Sequence, residues 1–197
     1  INKKTKAIAV VHLGGWPADM HSISRLAKAN NLSLIEDCSQ AHGAFISGKS
    51  VGSFGDISTW SFCQDKIIST GGEGGMITTS NEILYNKLWS YKDHGKTLEA
   101  IKKTNKGNSF KWLHEELGSN FRLTEMQSAI GRIQLSHIKT TQAKREKNAH
   151  FLASFLKDIK CIRIPYPKKN LIHAWYKFYV FLNPEYLNPN WTRDRII

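Results

Sequence analysis

Between residues 7 and 37 the hydrophobic pattern changes period twice, and this restricts the possible folds more than any other feature. Ala7-Ile8-Ala9-Val10-Val11 is a short, β-rich apolar run, broken by Gly14-Gly15-Trp16-Pro17. From Asp19 to Asn30, Met20, Ile23, Leu26 and Ala27 recur at helical spacing. Leu32-Ser33-Leu34-Ile35 is strand-like again and ends in the acidic pair Glu36-Asp37. A strand, a helix and a strand in so short a span form a βαβ unit, whose two strands run parallel. The expected class is α/β, a mainly parallel sheet flanked by helices.

Beyond this unit, Gly43, Gly48, Gly52 and Gly55 mark a loop-rich stretch. Residues Ile57 to Phe62 and Met76 to Thr79 predict two further strands, joined by Gly71-Gly72-Glu73-Gly74-Gly75. A helix is expected from Asn81 to Lys92, and a long, polar, basic connection from Lys92 to Ser119. Thr124-Glu125-Met126-Gln127 has the capping-box form T-x-x-Q. It opens a long amphipathic helix to about Lys157, with room for one break. Its apolar side would be Met126, Ile130, Ile133, Ile138, Phe151, Leu152 and Phe155. Ile162 to Pro165 and Trp175 to Leu182 complete the expected strands.

Composition excludes several classes. Apolar residues make up 41% of 197, enough for a sizeable core. No apolar run reaches the ~18 residues of a membrane-spanning helix. The basic start, Ile1 to Lys6, precedes only five apolar residues, so a secretory signal is not expected. A start without Met, directly before a strand, reads as a start inside a longer protein or a processed one. Three scattered cysteines suit neither zinc nor a disulfide framework, and point to a reducing, cytoplasmic compartment. Net charge is +12, which first suggests nucleic acid. The excess lies wholly in residues 86–197, with 21 Lys/Arg against 9 Asp/Glu, while residues 1–85 balance at 7 and 7. No nucleic-acid motif accompanies it.

In open α/β sheets, ligands bind beyond the carboxyl ends of the strands. There the sequence places Asp37, Ser61, then Lys66 and the glycine-rich turn. Each alone has an ordinary explanation: a capping acid, a strand-end hydroxyl, a solvated lysine, tight turns. Together they match the needs of one cofactor, pyridoxal phosphate (PLP). It requires a lysine for a Schiff base, an acid opposite the pyridine nitrogen, and donors for its phosphate.

Five stretches, in order, resemble one family. Val11-His12-Leu13 with Gly15 and Pro17 to Met20 resembles V-H-L-x-G-x-P-A-D-M; Glu36 to Ala44 resembles E-D-x-A-Q-A-x-G-A. Gly52-Ser53-Phe54-Gly55-Asp56 resembles G-S-x-G-D; Ser61-Phe62 to Lys66 and Thr70 to Gly75 resemble S-F-x-x-x-K…T-G-E-G-G, with one extra glycine. Gly118 to Leu123 resembles G-x-N-x-R-[ML]. The pattern is that of the DegT/DnrJ/StrS sugar aminotransferases, of fold type I. The resemblance implies a middle segment of a longer enzyme. Residues 1–121 would be the C-terminal part of the PLP-binding large domain, 122–160 a long connecting helix, and 161–197 the start of an incomplete α+β small domain. The family's phosphate-binding turn and its ring-stacking aromatic would precede this segment.

The resemblance also implies roles. Lys66 would be catalytic, bonding the cofactor aldehyde and then moving a proton; a cationic, partly dry site would lower its pKa toward neutrality. Asp37 would face the pyridinium nitrogen, Gln40 would lie beside the ring, and Ser61 would donate to the phosphate. Asn120 would reach the phosphate of a neighbouring subunit, in a homodimer with shared active sites, and Arg122 would support that turn. His94 would approach the sugar; His12 and Asp56 would brace the site. Trp16, Trp60 and Trp175 are expected in the core. No metal, nucleic acid or membrane span is expected. The implied activity is amino transfer, with glutamate as donor, to a keto nucleotide-sugar. The product would feed a surface polysaccharide such as O-antigen lipopolysaccharide, or a natural product. The alternative is a truncated, catalytically silent relative that lacks the N-terminal cofactor-binding half.

Overall fold

A computed structural model describes residues 1–102 and 114–197. Strand β1 (Ala7–Val11) leads through a 3-10 turn (Leu13–Gly15) to α1 (Met20–Ala29) and β2 (Ser33–Asp37). The side chain of Asp19 accepts from the Ser22 N–H and starts α1. Met20 and Ala27 turn its buried face to the sheet core, with Val10, Leu34 and Cys38. β1 and β2 are parallel over five residue pairs, as the βαβ pattern requires.

A small hairpin follows, β3 (Phe45–Ile46) and β4 (Lys49–Ser50), then β5 (Ile57–Ser61) and β6 (Gly75–Thr78). The main sheet has the order β1-β2-β5-β6. β5 joins β2 in parallel, and β6 joins β5 antiparallel, so the sheet is mixed. Asn81 caps α2 (Glu82–Lys92) by accepting from the Leu84 N–H, and α3 (Leu98–Lys102) opens the basic connection. Much of that expected connection, 103–113, lies outside the described residues.

The capping box is present: the Thr124 hydroxyl accepts from the Gln127 N–H, and the Gln127 side chain accepts in return. The expected long helix is two, α4 (Glu125–Ser136) and α5 (Ile138–Leu156), broken at His137. Among the described residues much of its apolar side is uncovered, although Ile138 packs against the core. Met126, Ile133, Phe151 and Phe155 are each more than half exposed. The face that meets the body is lined by small residues instead, Ala149 and Ala153.

Three short strands complete the chain: β7 (Ile162–Arg163), β8 (Leu171–Ile172) and β9 (Phe181–Leu182); α6 (Arg193–Ile196) follows. β8 was not signalled by the sequence; it adds to the β3–β4 hairpin, giving the order β4-β3-β8. The strand expected from Trp175 to Leu182 contracts to its last two residues. Trp175 takes a left-handed φ of 52°, which no strand continues. Residues 174–177 bond instead to the 3-10 turn, with Ala174 N–H to Gly15 O at 2.9 Å and Lys177 N–H to Gly14 O at 3.0 Å. Among the described residues no helix is long and apolar enough to cross a membrane.

Candidate active site

β2 and β5 are parallel neighbours, so their carboxyl ends share one edge of the sheet. Asp37 is the last residue of β2, beside Thr59 of β5 and Val11 of β1. It is half-buried, and its Oδ1 accepts from the Ser39 N–H at 3.0 Å, which fixes the carboxylate over the strand end. Ser61 is the last residue of β5 and faces Gly75 of β6. Its Oγ accepts from the Cys63 N–H at 3.3 Å, leaving its own proton available to a ligand.

Lys66 sits in the turn after β5. Its Nζ is 2.8 Å from Asp65 Oδ1 and 3.4 Å from the Tyr176 hydroxyl. That hydroxyl donates in turn to the other oxygen of Asp65. The Lys66 side chain is only 17% exposed, the Asp65 side chain 52%. The hydrogen bond to Asp65 holds the Lys66 ammonium above the usual lysine range; partial burial works against this, and Tyr176 adds to it. This corrects the expectation of a lysine tuned downward. The anion beside it, not a cationic surrounding, dominates. Asp65 is correspondingly held far below the usual carboxylate range by Lys66, then by Tyr176.

Gln40 lies in the same loop cluster as Asp37. Its Oε1 accepts from the Gly14 N–H at 2.6 Å. This ties the loop after β2 to the 3-10 turn after β1. The glycine-rich turn is pinned by the first turn of α4, where Gln127 Nε2 donates to the Glu73 carbonyl at 2.6 Å.

Beneath these groups lies a buried polar knot. Glu36 is fully buried and accepts from the N–H groups of Gly52, Phe54 and Gly55 at 2.6–2.8 Å, and from His12 Nε2 at 3.1 Å. Burial pushes Glu36 up, but the His12 ring and these amides outweigh it and hold its pKa below the ordinary value. His12 Nδ1 accepts from the Ala18 N–H, which places the ring proton on Nε2, toward Glu36. Asp56 Oδ2 accepts from the Leu34 N–H at 2.9 Å. His12 and Asp56 thus brace β2 and the turn before β5. His12, Glu36 and Cys38 offer ligand atoms within 4.8 Å of one another. The imidazole and carboxylate are already committed to hydrogen bonds, and burial and the nearby acids raise the Cys38 thiol pKa, so the knot reads as structural.

Asn120 and His94 stand together. Asn120 bridges to Asp93, its Oδ1 accepts from Arg122 Nε at 3.2 Å, and Arg122 pairs with Asp93 at 3.2 Å. His94 donates its N–H to the Ser119 carbonyl and has φ 62°. Among the described residues no hydrogen bond joins Asn120 or His94 to Asp37, Ser61 or Lys66.

A separate cavity of about 580 Å³ lies between the sheet and α4–α5, lined by His42, Trp60, Phe62, Thr70, Leu123 and Ile138 among others. Neither Lys66 nor Asp37 lines it. His42 is 3% exposed, its ring tilted against those of Trp60 and Phe62, and among the described residues neither ring nitrogen has a hydrogen-bond partner. Burial, then the Lys66 charge, pushes its pKa down to about 4.

Sequence reasoning missed Asp65 and Tyr176. The adjacency of Asp65 and Lys66 was a visible signal; Tyr176, 110 residues away from Lys66, gave none.

The DegT/DnrJ/EryC1/StrS aminotransferase family model matches residues 1–197. The solved aminotransferase from Psychrobacter cryohalolentis superposes with a TM-score of 0.93 at 47% identity, over 100% of this chain and 52% of that one. A GDP-perosamine synthase of Escherichia coli O157:H7 is 36% identical over 89% of this chain and 45% of its own length. The UDP-N-acetyl-3-dehydro-α-D-glucosamine 3-aminotransferase of Acidithiobacillus ferrooxidans is 37% identical over 93% and 46%. The chain spans about half the length of the relatives it matches.

Proposed function

Since the chain belongs to the DegT/DnrJ/EryC1/StrS aminotransferase family, we propose that it is part of a PLP-dependent enzyme that transfers an amino group to a keto nucleotide-sugar. The observation that carries this is the placement of Asp37 and Ser61 on adjacent parallel strand ends, with Lys66 in the turn that follows. The donor set fits the cofactor: a held carboxylate, a hydroxyl with a free proton, and a half-buried amine. The names of two relatives, a GDP-perosamine synthase and a UDP-linked 3-aminotransferase, support a nucleotide-sugar as acceptor. Glutamate is the proposed donor, and a surface polysaccharide or natural product the proposed destination.

When bound, PLP supplies an aldehyde for Lys66 and a ring that withdraws electrons. Asp37 would keep a proton on the ring nitrogen by its negative charge. Gln40 would flank the ring, and Ser61 Oγ would donate to the phosphate. Lys66 Nζ would carry a proton to and from the substrate carbon that bears the nitrogen. Asn120 would serve the partner subunit's site, in a homodimer. His94, in the same cluster, would then meet the sugar. We place 1–121 in the large domain, 122–160 in the connecting helices and 161–197 in the small domain of a cytoplasmic enzyme.

Lys66 is the test. Incubation with PLP, borohydride reduction and peptide mass spectrometry should find the adduct on the Lys66 peptide, and Lys66→Ala should abolish it. The second reading is a catalytically silent relative. It predicts no preference for Lys66 over exposed lysines such as Lys28 at stoichiometric PLP.

A further inference from the structure

We infer that Asp65 and Tyr176 are positioning residues for Lys66: together they hold its Nζ as an ammonium at one point and set the pH at which it becomes a nucleophile. The inference rests on Lys66 as the cofactor lysine, and deepens that reading. The three side chains form a closed triangle. Lys66 Nζ meets Asp65 Oδ1 at 2.8 Å and the Tyr176 hydroxyl at 3.4 Å, and Tyr176 donates to Asp65 Oδ2. Tyr176 therefore orients the carboxylate while Asp65 carries the charge. A lone exposed neighbour such as Asp65 would hold the ammonium weakly. The second contact, from a distant part of the chain, fixes the geometry.

Tyr176 reaches this place through the backbone. Ala174 and Lys177 bond to the carbonyls of Gly15 and Gly14, so the segment after β8 crosses over the turn after β1. A Cβ on Gly15 would lie 3.0 Å from the Tyr176 nitrogen, so only glycine allows the approach. The lysine is thereby coupled to a segment from the far end of the chain. Other groups near the triangle are the buried neutral ring of His42, the thiol of Cys63 beside Asp65 with the Glu73 carboxylate 3.4 Å from its sulfur, and Lys177 Nζ, 4.7 Å from the Tyr176 ring. Among the described residues Asp65 alone forms an ion pair with Lys66.

The test is the pH profile of Lys66 nucleophilicity in the chain without cofactor. Trace acetic anhydride labels amines only in their neutral form. Peptide mass spectrometry reads Lys66 against exposed Lys28 from about pH 7 to about 11. Asp65→Asn should raise relative labelling of Lys66 at about pH 8 by roughly 3- to 10-fold, since one unit of pKa is a tenfold change in neutral amine. Tyr176→Phe should raise it less, and Asp65→Glu should restore most of the wild-type profile. In the Tyr176→Phe background, Asp65→Asn should have a smaller effect, because the two act as one unit. Profiles that coincide for wild type and Asp65→Asn would overturn the inference. Asp65 is exposed, so this variant keeps the fold and decides the matter alone; circular dichroism checks it. The borohydride experiment is separate. A missing adduct at Lys66 would sink the cofactor reading, whereas the labelling profile judges the triangle.

Discussion

Burial without a partner and burial with four partners have opposite consequences at two side chains a few residues apart. Glu36 is buried and accepts four hydrogen bonds, so its carboxylate stays ionised in the fold. His42 is buried with none, so its ring stays neutral. His173 is also buried, and its pKa is likewise pushed down to about 4. All three groups have folded pKa values below their unfolded ones. Their stabilisation is thus complete above the unfolded values and lost as pH falls through the folded ones. For the two histidines that window runs from 6.5 down to about 4. For Glu36 it begins below 4.5. The unfolding free energy from urea denaturation should be flat above about pH 6.5 and fall steadily on acidification, by roughly 1–3 kcal/mol per histidine. His42→Phe isolates one share. It removes two unpaired buried nitrogens, and the adjacent cavity accepts the larger ring. The variant should be more stable by about 0.5–2 kcal/mol at neutral pH, with a shallower acid limb. A destabilised His42→Phe protein would mean that the ring nitrogens are bonded after all.

At the scale of elements, local rules decided most of what the sequence predicted well. Asp19, Asn81 and Thr124 announce helix starts because a capping side chain bonds backbone within its own turn. The βαβ unit is equally local, since the period of each run shows which face it buries. Asp37, Ser61 and Lys66 were legible for the same reason: strand ends place them on one edge. The segment from Trp175 to Leu182 was misread because its aromatic, β-rich composition is overruled by distant partners. Gly14 and Gly15 looked like a mere break after β1, yet they receive residues 174–177. Gly15→Ala should separate the two roles. At φ 94° a side chain is strained, and its Cβ would meet Ala174 Cβ and the Tyr176 nitrogen at 3.0 Å and the Gln40 carbonyl at 3.1 Å. We expect a loss of about 1–3 kcal/mol in chemical denaturation. Lys66 labelling should also shift in the direction of Tyr176→Phe, because the crossing segment moves away. A variant that loses stability but keeps the wild-type Lys66 profile would show that Tyr176 reaches the lysine without this turn.

For the whole molecule, area is the informative quantity. A compact monomer of 22.4 kDa exposes about 9,400 Å² by the area–mass relation, whereas this chain exposes 14218 Å². The excess, roughly 5,000 Å² on one chain, is above the ~1,000–2,500 Å² that each partner of an obligate assembly covers. Exposed apolar side chains include Met126, Ile133, Phe151 and Phe155 on α4 and α5. The helical period of those residues was plain in the sequence; what covers them was not, because an amphipathic stripe does not name its partner. Water alone is a poor covering for a contiguous apolar face. The isolated chain should therefore bind a hydrophobic dye strongly and sediment as a species heavier than 22.4 kDa. Phe151 and Phe155 are in ring contact, with centroids 4.8 Å apart, on that face. Phe151→Glu with Phe155→Glu should lower the sedimentation coefficient and the dye signal together, while leaving the Lys66 profile unchanged, since neither ring touches the site. A wild-type chain that sediments as a monomer and ignores the dye would refute association through this face, because the area would then have to be hidden by a rearrangement of α4 and α5 against their own sheet.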